Sequence, residues 1–223
     1  MTVPSKVLGV LGGMGPAATV AFLSRLQALT PAEGDQDHIR VIMDLNPQVP
    51  DRNKTPKKAE AELGEMAERL KTAGAEVLAM PCNTAHAQAA GVRKAGLPFI
   101  DMIAETTAAA KATGAQWVGV LATPGGEALY RRALKGEGLS LMTLDDPHRE
   151  AFMSCVYGVK RGEVGEAPRA EMRRLARLFA DGGAGAVIAG CTEVPLLLNQ
   201  DDVPVPLVDS AEVLARVCVE QCR

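Results

Sequence analysis

Short runs of aliphatic residues alternate along the chain with longer stretches in which apolar and polar positions follow a helical period. The short runs predict eight strands, at residues 6–11, 39–45, 76–81, 98–100, 116–121, 139–144, 186–189 and 205–208. The longer stretches predict helices at residues 17–29, 56–73, 85–95, 104–113, 127–135 and 168–180, and a last helix from residue 209 onward. Such alternation predicts an α/β fold, with parallel sheets joined by right-handed crossovers and covered by helices on both faces.

The same pattern occurs twice along the chain. In each half a Gly-Val-Leu run opens the unit, an apolar run leads to a cysteine, and a further short run ends at an aspartate. The matching positions are 110, 109 and 108 residues apart, for Val10 and Val120, Cys82 and Cys191, and Asp101 and Asp209. We interpret this pattern as an internal duplication that carries two equivalent thiols.

The duplication predicts two pseudo-symmetric lobes, each a four-stranded parallel sheet flanked by helices. The first lobe is expected at residues 1–108 and the second at residues 109–208, with the C-terminal helix, residues 209–223, packing back on the first lobe. Open α/β sheets bind ligands at the carboxyl ends of their strands, and Cys82 and Cys191 each follow such an end. We therefore expect the active site in the cleft between the lobes, with the two cysteines facing each other.

Composition excludes several classes of protein. The chain has 223 residues, and 47% of them are hydrophobic, which suffices for a substantial core. The formal net charge is −3 and only 3% of residues are aromatic, so neither the basic surface nor the stacking side chains of a nucleic-acid-binding protein are indicated. Residues 1–6 lead directly into a strand-like run, and no apolar stretch approaches the ~18 residues of a membrane span. We expect a cytoplasmic protein with no signal peptide and no membrane partner.

Cysteine and histidine usage agrees with that expectation. Five cysteines without a framework spacing predict reduced thiols rather than disulfides. Three histidines, none in a ligand spacing, indicate no structural or catalytic metal. Cys155, Cys218 and Cys222 are expected to be inert core residues, since a buried cysteine usually behaves as a small hydrophobic side chain.

The two duplicated cysteines differ from the other three in having polar neighbours. Residues 81–86 read Pro-Cys-Asn-Thr-Ala-His, and residues 190–193 read Gly-Cys-Thr-Glu. Each thiol would lie where a strand passes into a helix, and the N–H groups and dipole of a helix N-terminus favour a thiolate and attract a carboxylate. Two thiols on opposite sides of one α-carbon would supply the base and the acid that inversion of a stereocentre requires.

Four motifs together resemble the aspartate/glutamate racemase family, in order and over nearly the whole chain. They are Gly-Gly-Met-Gly-Pro-Ala-Ala-Thr at residues 12–19, Pro-Asp-Arg at residues 50–52, and the two cysteine motifs. The resemblance implies racemisation without pyridoxal phosphate or another cofactor, in which one of Cys82 and Cys191 removes the α-proton and the other returns a proton to the opposite face. The expected substrate is an acidic amino acid, aspartate first and glutamate second. We also expect a homodimer, the commonest state of such enzymes.

Substrate recognition is expected to divide between the lobes. By the resemblance, Arg52 and Lys160 match the positions at which the family holds a distal carboxylate, and Arg161 is an alternative to Lys160. The donors that neutralise the α-carboxylate of a carbanion intermediate are expected among three short polar side chains and nearby backbone amides. These side chains are Asn83, Thr84 and Thr192.

Four further residues are expected at the site. Met14 is expected at the floor of the cleft, with Thr123 as its counterpart in the second lobe. Glu193 either orients the substrate ammonium or caps the following helix. His86 either tunes Cys82 or makes a structural hydrogen bond, the more usual role of a lone histidine at that spacing.

Other functions stay open at this point. The same superfamily includes hydantoin racemases, maleate isomerases and malonate decarboxylases, which also use one or both cysteines. A non-catalytic small-molecule binding module with two α/β lobes would explain the pattern with core cysteines alone. A nucleotide site at residues 12–15 is weaker, because the stretch lacks the full glycine fingerprint and a phosphate-binding lysine.

Overall fold

The structure is a computed structural model that describes residues 5–223. Residues 1–4 lie outside the described residues. They belong to the predicted first lobe and to the segment in which no signal peptide is predicted. The chain divides into two compact units: one runs to Met102 and also contains Ala211–Arg223, and the other is Ile103–Ser210. The sequence predicts the divisions after residues 108 and 208, a few residues from the divisions of the structure after residues 102 and 210.

The first unit is built on a four-stranded parallel sheet in the order β2-β1-β3-β4. Its strands are β1 (Leu8–Gly12), β2 (Val41–Leu45), β3 (Val77–Ala79) and β4 (Phe99–Ile100). Its helices are α1 (Pro16–Leu29), α2 (Pro56–Thr72) and α3 (Ala89–Arg93), and residues Asp35–Asp37 and Thr84–Gln88 form 3₁₀ turns.

Successive side chains of the strands point to opposite faces of this sheet and build two cores. Leu8 and Val10 belong to a buried cluster with Phe22 of α1 and Leu214 of the C-terminal helix. Leu11 belongs to a second cluster that contains the buried side chains of α2. Helices therefore cover both faces, as expected for a parallel sheet.

The second unit repeats this arrangement, with the strand order β6-β5-β7-β8. Its strands are β5 (Trp117–Leu121), β6 (Ser140–Met142), β7 (Ala186–Ala189) and β8 (Leu207–Asp209). Its helices are α4 (Met102–Ala112), α5 (Pro124–Gly136), α6 (Asp146–Lys160) and α7 (Glu166–Asp181), while Val194–Leu196 and Gln200–Asp202 form 3₁₀ turns. The last helix, α8 (Ser210–Cys222), belongs to the first unit from Ala211 onward. The prediction of two four-stranded parallel sheets flanked by helices is confirmed, and β5 to β8 correspond in order to β1 to β4.

The sequence missed one long helix, α6. Its first turn is fixed by Asp145, whose carboxylate accepts the backbone N–H of His148, with a proline in the first turn. Its buried residues Phe152, Cys155, Val156 and Val159 follow the i, i+3, i+4, i+7 pattern of an amphipathic helix. No helix within residues 5–223 has both the length and the apolarity needed to cross a membrane.

The predicted helix at residues 85–95 is wrong in its first half. That half is the 3₁₀ turn Thr84–Gln88, and only Ala89–Arg93 is α-helical. The His86 ring takes the carbonyl of Cys82, the acceptor that an α-helical N–H at position 86 would use, while the His86 N–H donates to Asn83 instead. A side-chain hydrogen bond thus competes with the α-helical ladder.

Candidate active site

The two cysteines occupy the same topological position in their respective sheets. In the first unit the chain passes from β1 to β2 on one side and returns to β3 on the other, so the strand order switches between β1 and β3. Cys82 follows β3 at this point, and Cys191 follows β7 beside β5 in the same way. Ligands of open α/β sheets bind outside the carboxyl ends of strands at such switch points.

The glycine-rich loop after β1 is shaped by close backbone packing. Gly13 has a φ of +97°, and a Cβ there would lie 2.4 Å from the backbone carbon of Asn46. The Thr19 hydroxyl accepts the N–H of Gly13 at 3.0 Å and donates to the carbonyl of Gly15 at 3.0 Å. The lack of a side chain at Gly13 therefore allows the backbone of Asn46 to pack closely against this loop. Met14 is buried in the same apolar cluster as Cys82.

The backbone beside Cys82 is held by His86. The His86 Nε2 accepts the N–H of Met102 at 3.1 Å, so Nδ1 carries the hydrogen that is donated to the carbonyl of Cys82 at 2.9 Å. Burial lowers the pKa of His86 below its usual value of 6.5, which keeps the ring neutral near pH 7. Of the two roles expected for His86, the structure therefore contains the structural one.

The helix N-termini expected beside the thiols are 3₁₀ turns in both units. Thr84–Gln88 follows Cys82, and Val194–Leu196 follows Cys191. The turn after Cys82 continues directly into α3, so the expected contribution of a helix dipole stays a prediction there. The turn after Cys191 stands alone and sums few peptide dipoles, so little contribution is expected at that thiol. Asn83 and Thr192 are buried beside their cysteines, and Thr84 is half-buried.

Arg52 lies in a loop that is braced from two sides. Its neighbour Asp51 accepts the N–H groups of Lys54 and Asn53, and these hydrogen bonds lower the pKa of the Asp51 carboxyl. Gln88 reaches across to the carbonyl of Arg52, with 3.5 Å between Nε2 and the oxygen. The Nε of Arg52 and the Oε1 of Gln88 are buried and have no hydrogen-bond partner within residues 5–223.

Gln88 contacts the backbone of Arg52, and the sequence analysis does not predict this role. It is buried, with 5% of its surface exposed, and connects the segment after Cys82 to the backbone of Arg52. The available signal is one long polar side chain in the otherwise small and apolar run Ala-Gln-Ala-Ala-Gly at residues 87–91. A buried polar residue in such a run needs hydrogen-bond partners, and the carbonyl of Arg52 is one of them.

Cys191 has a carboxylate as its immediate neighbour. Its Sγ donates to Glu193 Oε2 at 2.9 Å, and the Thr192 hydroxyl lies 3.5 Å from the same oxygen. Glu193 is the N-cap residue of the turn Val194–Leu196 but makes no side-chain cap, so the expected capping role is wrong. The role of orienting a substrate ammonium stays a prediction.

Lys160 approaches Glu193 from the last turn of α6. Its Nζ lies 3.9 Å from Glu193 Oε1 and 5.9 Å from the centre of the Tyr157 ring. Arg161, the alternative to Lys160, is engaged by Glu163, with 2.8 Å between Nε and Oε1. This pairing raises the pKa of Arg161. Lys160 is thus the cation that the second unit brings to the segment after Cys191.

Thr123 serves as a helix cap at the carboxyl end of β5. Its hydroxyl accepts the N–H of Gly126 at 3.2 Å at the start of α5. The remaining cysteines are buried, and burial raises the pKa of each of their thiols, which disfavours the reactive thiolate. They are Cys155, Cys218 and Cys222. Within residues 5–223 no three His, Cys, Asp or Glu side chains are grouped so as to hold a metal ion.

Comparisons with known proteins agree with this arrangement. A family profile described as Asp/Glu/hydantoin racemase matches residues 11–218. The broad-specificity amino-acid racemase RacX of Bacillus subtilis is 25% identical over 96% of both chains. A glutamate racemase of Pseudomonas aeruginosa is 28% identical over 97% of this chain and 81% of its own. The structure of Picrophilus torridus aspartate racemase superimposes with a TM-score of 0.85 and 26% identity, covering 98% of this chain and 94% of that one.

These matches confirm the resemblance that the cysteine motifs indicate. They also confirm the prediction of an amino-acid racemase, of a kind that works without pyridoxal phosphate in this family. The chain belongs to the Asp/Glu/hydantoin racemase family.

Proposed function

We propose that the protein racemises aspartate, with glutamate as a second substrate, by proton transfer between two cysteines and the α-carbon. The observation that carries the proposal is the equivalence of Cys82 and Cys191, each of which follows the third strand of its unit at a topological switch point. Two like thiols in equivalent positions are suited to a reaction whose substrate and product are mirror images.

The chemistry needs one thiolate and one thiol at the start. The thiolate removes the α-proton, so that an S–H bond forms and the electron pair of the broken C–H bond passes into the carboxylate as a carbanion. The second thiol then delivers its proton to the opposite face and becomes the thiolate. Because a free cysteine titrates near about 8.5, thiols as a class are suited to serve as base and as acid near neutral pH.

The carbanion places extra negative charge on the substrate carboxylate. Buried polar side chains beside the thiols, Asn83 and Thr192, are the proposed donors to it, with Thr84 at the edge of the same segment. Removing one donor from a comparable oxyanion site costs about 2.7–4 kcal/mol. We further propose that Met14 and Thr123 bound the space for the substrate.

The preference for a dicarboxylic amino acid rests on Arg52 and Lys160. Arg52 has a buried Nε that lacks a hydrogen-bond partner within residues 5–223, which is suited to an incoming carboxylate. Lys160, at the end of α6, places a second cation beside Glu193, two residues after Cys191. The Picrophilus torridus neighbour, an aspartate racemase, supports the same choice.

A second candidate is racemisation of a wide range of amino acids. It is favoured by the match to RacX, a broad-specificity racemase, along 96% of both chains. The two candidates differ in what Arg52 and Lys160 do: an aspartate racemase requires both cations, whereas a broad-specificity enzyme would turn over neutral amino acids at comparable rates without using them.

The decisive experiment is incubation of the protein with L-aspartate in heavy water. We expect α-deuterium incorporation, followed by nuclear magnetic resonance, together with loss of optical rotation. The same assay with glutamate, alanine and serine separates the two candidates. Absence of exchange with every one of these amino acids would contradict amino-acid racemisation and would leave the hydantoin, maleate and malonate reactions or a binding module. In the binding-module case both cysteines would react slowly with iodoacetamide and no ligand would protect them.

A further inference from the structure

The loop that carries Arg52 is shaped mostly by its own residues. The carbonyl of Asp51 accepts the N–H of Thr55 at 2.8 Å and the Thr55 hydroxyl at 3.0 Å. The carboxylate of Asp51 accepts the N–H groups of Asn53 and Lys54. All of these hydrogen bonds join residues at most four positions apart, so they shape the loop without attaching it to another part of the first unit.

Gln88 attaches this loop to a distant segment. Its Nε2 donates to the carbonyl of Arg52 at 3.5 Å, across 36 positions of the sequence. Within residues 5–223, no other hydrogen bond joins residues 51–54 to a segment more than four positions away. The distance is at the upper limit for a hydrogen bond, so a small movement of either residue breaks the contact. The placement of the Arg52 backbone therefore depends on the Gln88 amide.

Gln88 itself lies on a firmly held segment. It ends the 3₁₀ turn Thr84–Gln88, in which two backbone groups fix the ring of His86. Helix α3 follows directly and packs so closely on α2 that a side chain at Gly91 would overlap the backbone of Glu60. The amide is thus a fixed point, and the loop that carries the arginine is aligned against it.

The repeated fold does not need a polar side chain at this position. Gln88 is six residues after Cys82, and six residues after Cys191 the second unit has Leu197, which is buried in an apolar cluster. Gln88 is also buried, with 5% of its surface exposed, and its Oε1 has no hydrogen-bond partner within residues 5–223. A buried amide with an unpaired oxygen costs free energy that a leucine would not cost. The presence of Gln88 therefore needs an explanation other than packing.

The Arg52 side chain is the group that this contact would serve. Its guanidinium makes no ion pair or hydrogen bond within residues 5–223, and its Nε is buried. The neighbouring carboxylate of Asp51 is bound by backbone N–H groups instead. An arginine without a partner in its own chain is suited to bind a carboxylate of a ligand. Because the side chain moves with its backbone, the position of that carboxylate would depend on Gln88.

We propose, on the basis of the acidic substrate proposed above, that Gln88 determines specificity by acting through Arg52. Its amide holds the Arg52 loop in register with the segment that follows Cys82. The guanidinium then meets the distal carboxylate of a substrate whose α-carbon lies at the thiol. Gln88 does not contact the substrate and takes no part in proton transfer, so it is a positioning residue that governs the affinity for dicarboxylic amino acids.

The experiment measures kcat and KM for aspartate racemisation in wild type and Gln88→Leu. Leucine is the residue that the second unit has at the corresponding position, so the substitution suits a buried site. We expect KM to rise by about 2–12-fold, the effect of one neutral hydrogen bond, with kcat unchanged within about twofold. The effect falls on KM because the distal carboxylate is bound both before and during proton transfer. Gln88→Met, which keeps the unbranched shape of glutamine, should show the same change.

A double variant tests whether the amide acts through the arginine. In Arg52→Gln the loop has no cation to place, so adding Gln88→Leu should leave KM for aspartate at the value of Arg52→Gln alone. If the two substitutions instead multiply their effects on KM, Gln88 acts independently of Arg52 and the proposal is wrong.

A matched control removes a similar glutamine outside the site. The Nε2 of Gln116 in the second unit donates to the carbonyl of Gly138 at 2.9 Å. Gln116→Leu deletes the same kind of contact, from a side-chain amide to a backbone carbonyl, and should keep the wild-type kcat and KM. An unchanged KM in Gln88→Leu, or a fall in kcat as large as the rise in KM, would overturn the role of Gln88.

The outcomes separate this proposal from the proposed function. If wild type does not racemise aspartate, or if Arg52→Gln leaves KM for aspartate unchanged, the proposed acidic-substrate racemase fails. If Arg52→Gln raises KM and Gln88→Leu does not, only the role of Gln88 fails.

A structural measurement needs no turnover. The nuclear magnetic resonance signal of the Arg52 Nε–H is identified by its absence from Arg52→Gln. Its exchange with solvent should be faster in Gln88→Leu than in wild type, because the loop opens more readily once the amide is lost. In Gln116→Leu the exchange should match wild type. Equal exchange in Gln88→Leu and wild type would contradict the link between Gln88 and Arg52, whether or not the protein racemises aspartate.

Discussion

The two units share a topology but surround their cysteines differently. Each sheet has the same strand order, and each cysteine follows the strand beside the switch point. The backbone carbonyl of Cys82 accepts a hydrogen bond from the neutral ring of His86, which also accepts the N–H of Met102. The thiol of Cys191, by contrast, donates to the buried carboxylate of Glu193. Strand order thus fixes where each thiol is placed, and the residues two and four positions later, Glu193 and His86, give the two cysteines different contacts.

The cations proposed to recognise the substrate also differ in their surroundings between the units. Arg52 belongs to a loop after β2 that is braced through Gln88, while Lys160 stands at the end of α6 beside Glu193. At offsets of 108 to 110 residues, Arg52 corresponds to Lys160, Arg161 or Gly162. Both cations lie between the second and third strands of their units, but Lys160 ends a helix, α6, that the first unit lacks. The duplication places the two thiols equivalently, whereas the two cations proposed to bind the substrate stand in different local structures.

The largest expected effect comes from replacing either thiol. Cys82→Ser and Cys191→Ser should each lower the rate of aspartate racemisation by at least about 10²–10⁴-fold, because a serine hydroxyl does not ionise near neutrality and cannot replace a thiol as base. Racemisation is measured by circular dichroism of aspartate, with the far-ultraviolet spectrum of the protein as a check on folding. Cys155→Ala, a buried cysteine of α6, is the matched control and should retain activity. Full activity in either serine variant would contradict a two-cysteine mechanism.

Smaller effects are expected from the two cations. Arg52→Gln should lower kcat/KM for aspartate by roughly 10–150-fold, the equivalent of one hydrogen bond to a charged group, and Lys160→Gln by less, because its side chain is 38% exposed. The loss should appear mainly in KM and should be absent for alanine, which lacks a distal carboxylate. Arg174→Gln, at an exposed ion pair on α7, serves as the control. Equal losses for aspartate and alanine would show that Arg52 does not recognise the distal carboxylate.

The strands and the duplicated thiols could be predicted because their signals are local. Buried parallel strands appear as continuous apolar runs, and the carboxyl end of such a run fixes the place of Cys82 or Cys191 within its sheet. Helix α6 was missed although its cap at Asp145 and its apolar spacing are readable, because its first turn is rich in polar residues. The sequence contains the signal in that case, since Asp145-Asp146-Pro147 has the capping residue and the proline typical of a helix start.

The contacts at the site could not be predicted in the same way. The 3₁₀ turn after Cys82 depends on a hydrogen bond from the His86 ring to the backbone and on a second bond from Met102, sixteen residues along the chain. The bond between Cys191 and Glu193 depends on the tight turn that brings positions i and i+2 onto one side. Side chains that compete with backbone partners decide these cases, and neither periodicity nor propensity reports them.

The central strands allow the packing of the two units to be compared by one substitution. Gly9 of β1 and Gly119 of β5 occupy equivalent positions, 110 residues apart. A Cβ at Gly119 would lie 2.4 Å from Cγ and 2.6 Å from Cβ of Phe179, and one at Gly9 would lie 2.7 Å from Ala75 Cβ and 2.8 Å from Leu78 Cδ2. The Leu78 methyl group is the end of a flexible side chain and can rotate away from an added Cβ. The contact with Phe179 is at Cβ and Cγ, which can move only if the backbone of Phe179 moves.

We therefore expect both alanine variants to be destabilised by about 1–3 kcal/mol, with Gly119→Ala at the upper end and Gly9→Ala at the lower end. The measurement is denaturant-induced unfolding followed by far-ultraviolet circular dichroism and by the fluorescence of Trp117, the one tryptophan of the chain. Gly136→Ala, in α5 with open space around the added Cβ, is the control and should not be destabilised. Equal costs at both strands would mean that the ring accommodates the methyl group as readily as the leucine does.

The smallest effect concerns the pH dependence that His86 gives to the first unit. Burial lowers the folded-state pKa of His86 below 6.5, so the unfolded chain binds a proton at this residue before the folded protein does. The stability that depends on the neutral ring is complete above about pH 6.5 and is lost as the pH falls towards the lowered pKa, by at most ~1.4 kcal/mol per pH unit. His86→Asn should remove this slope while lowering stability at neutral pH, because Met102 and Cys82 lose their imidazole partner. The position that corresponds to His86 in the second unit is Pro195, so no imidazole contributes there. Urea unfolding between pH 7.5 and 5 checks the prediction, and parallel stability curves for wild type and variant would mean that the buried ring is protonated as easily in the folded protein as in the unfolded chain.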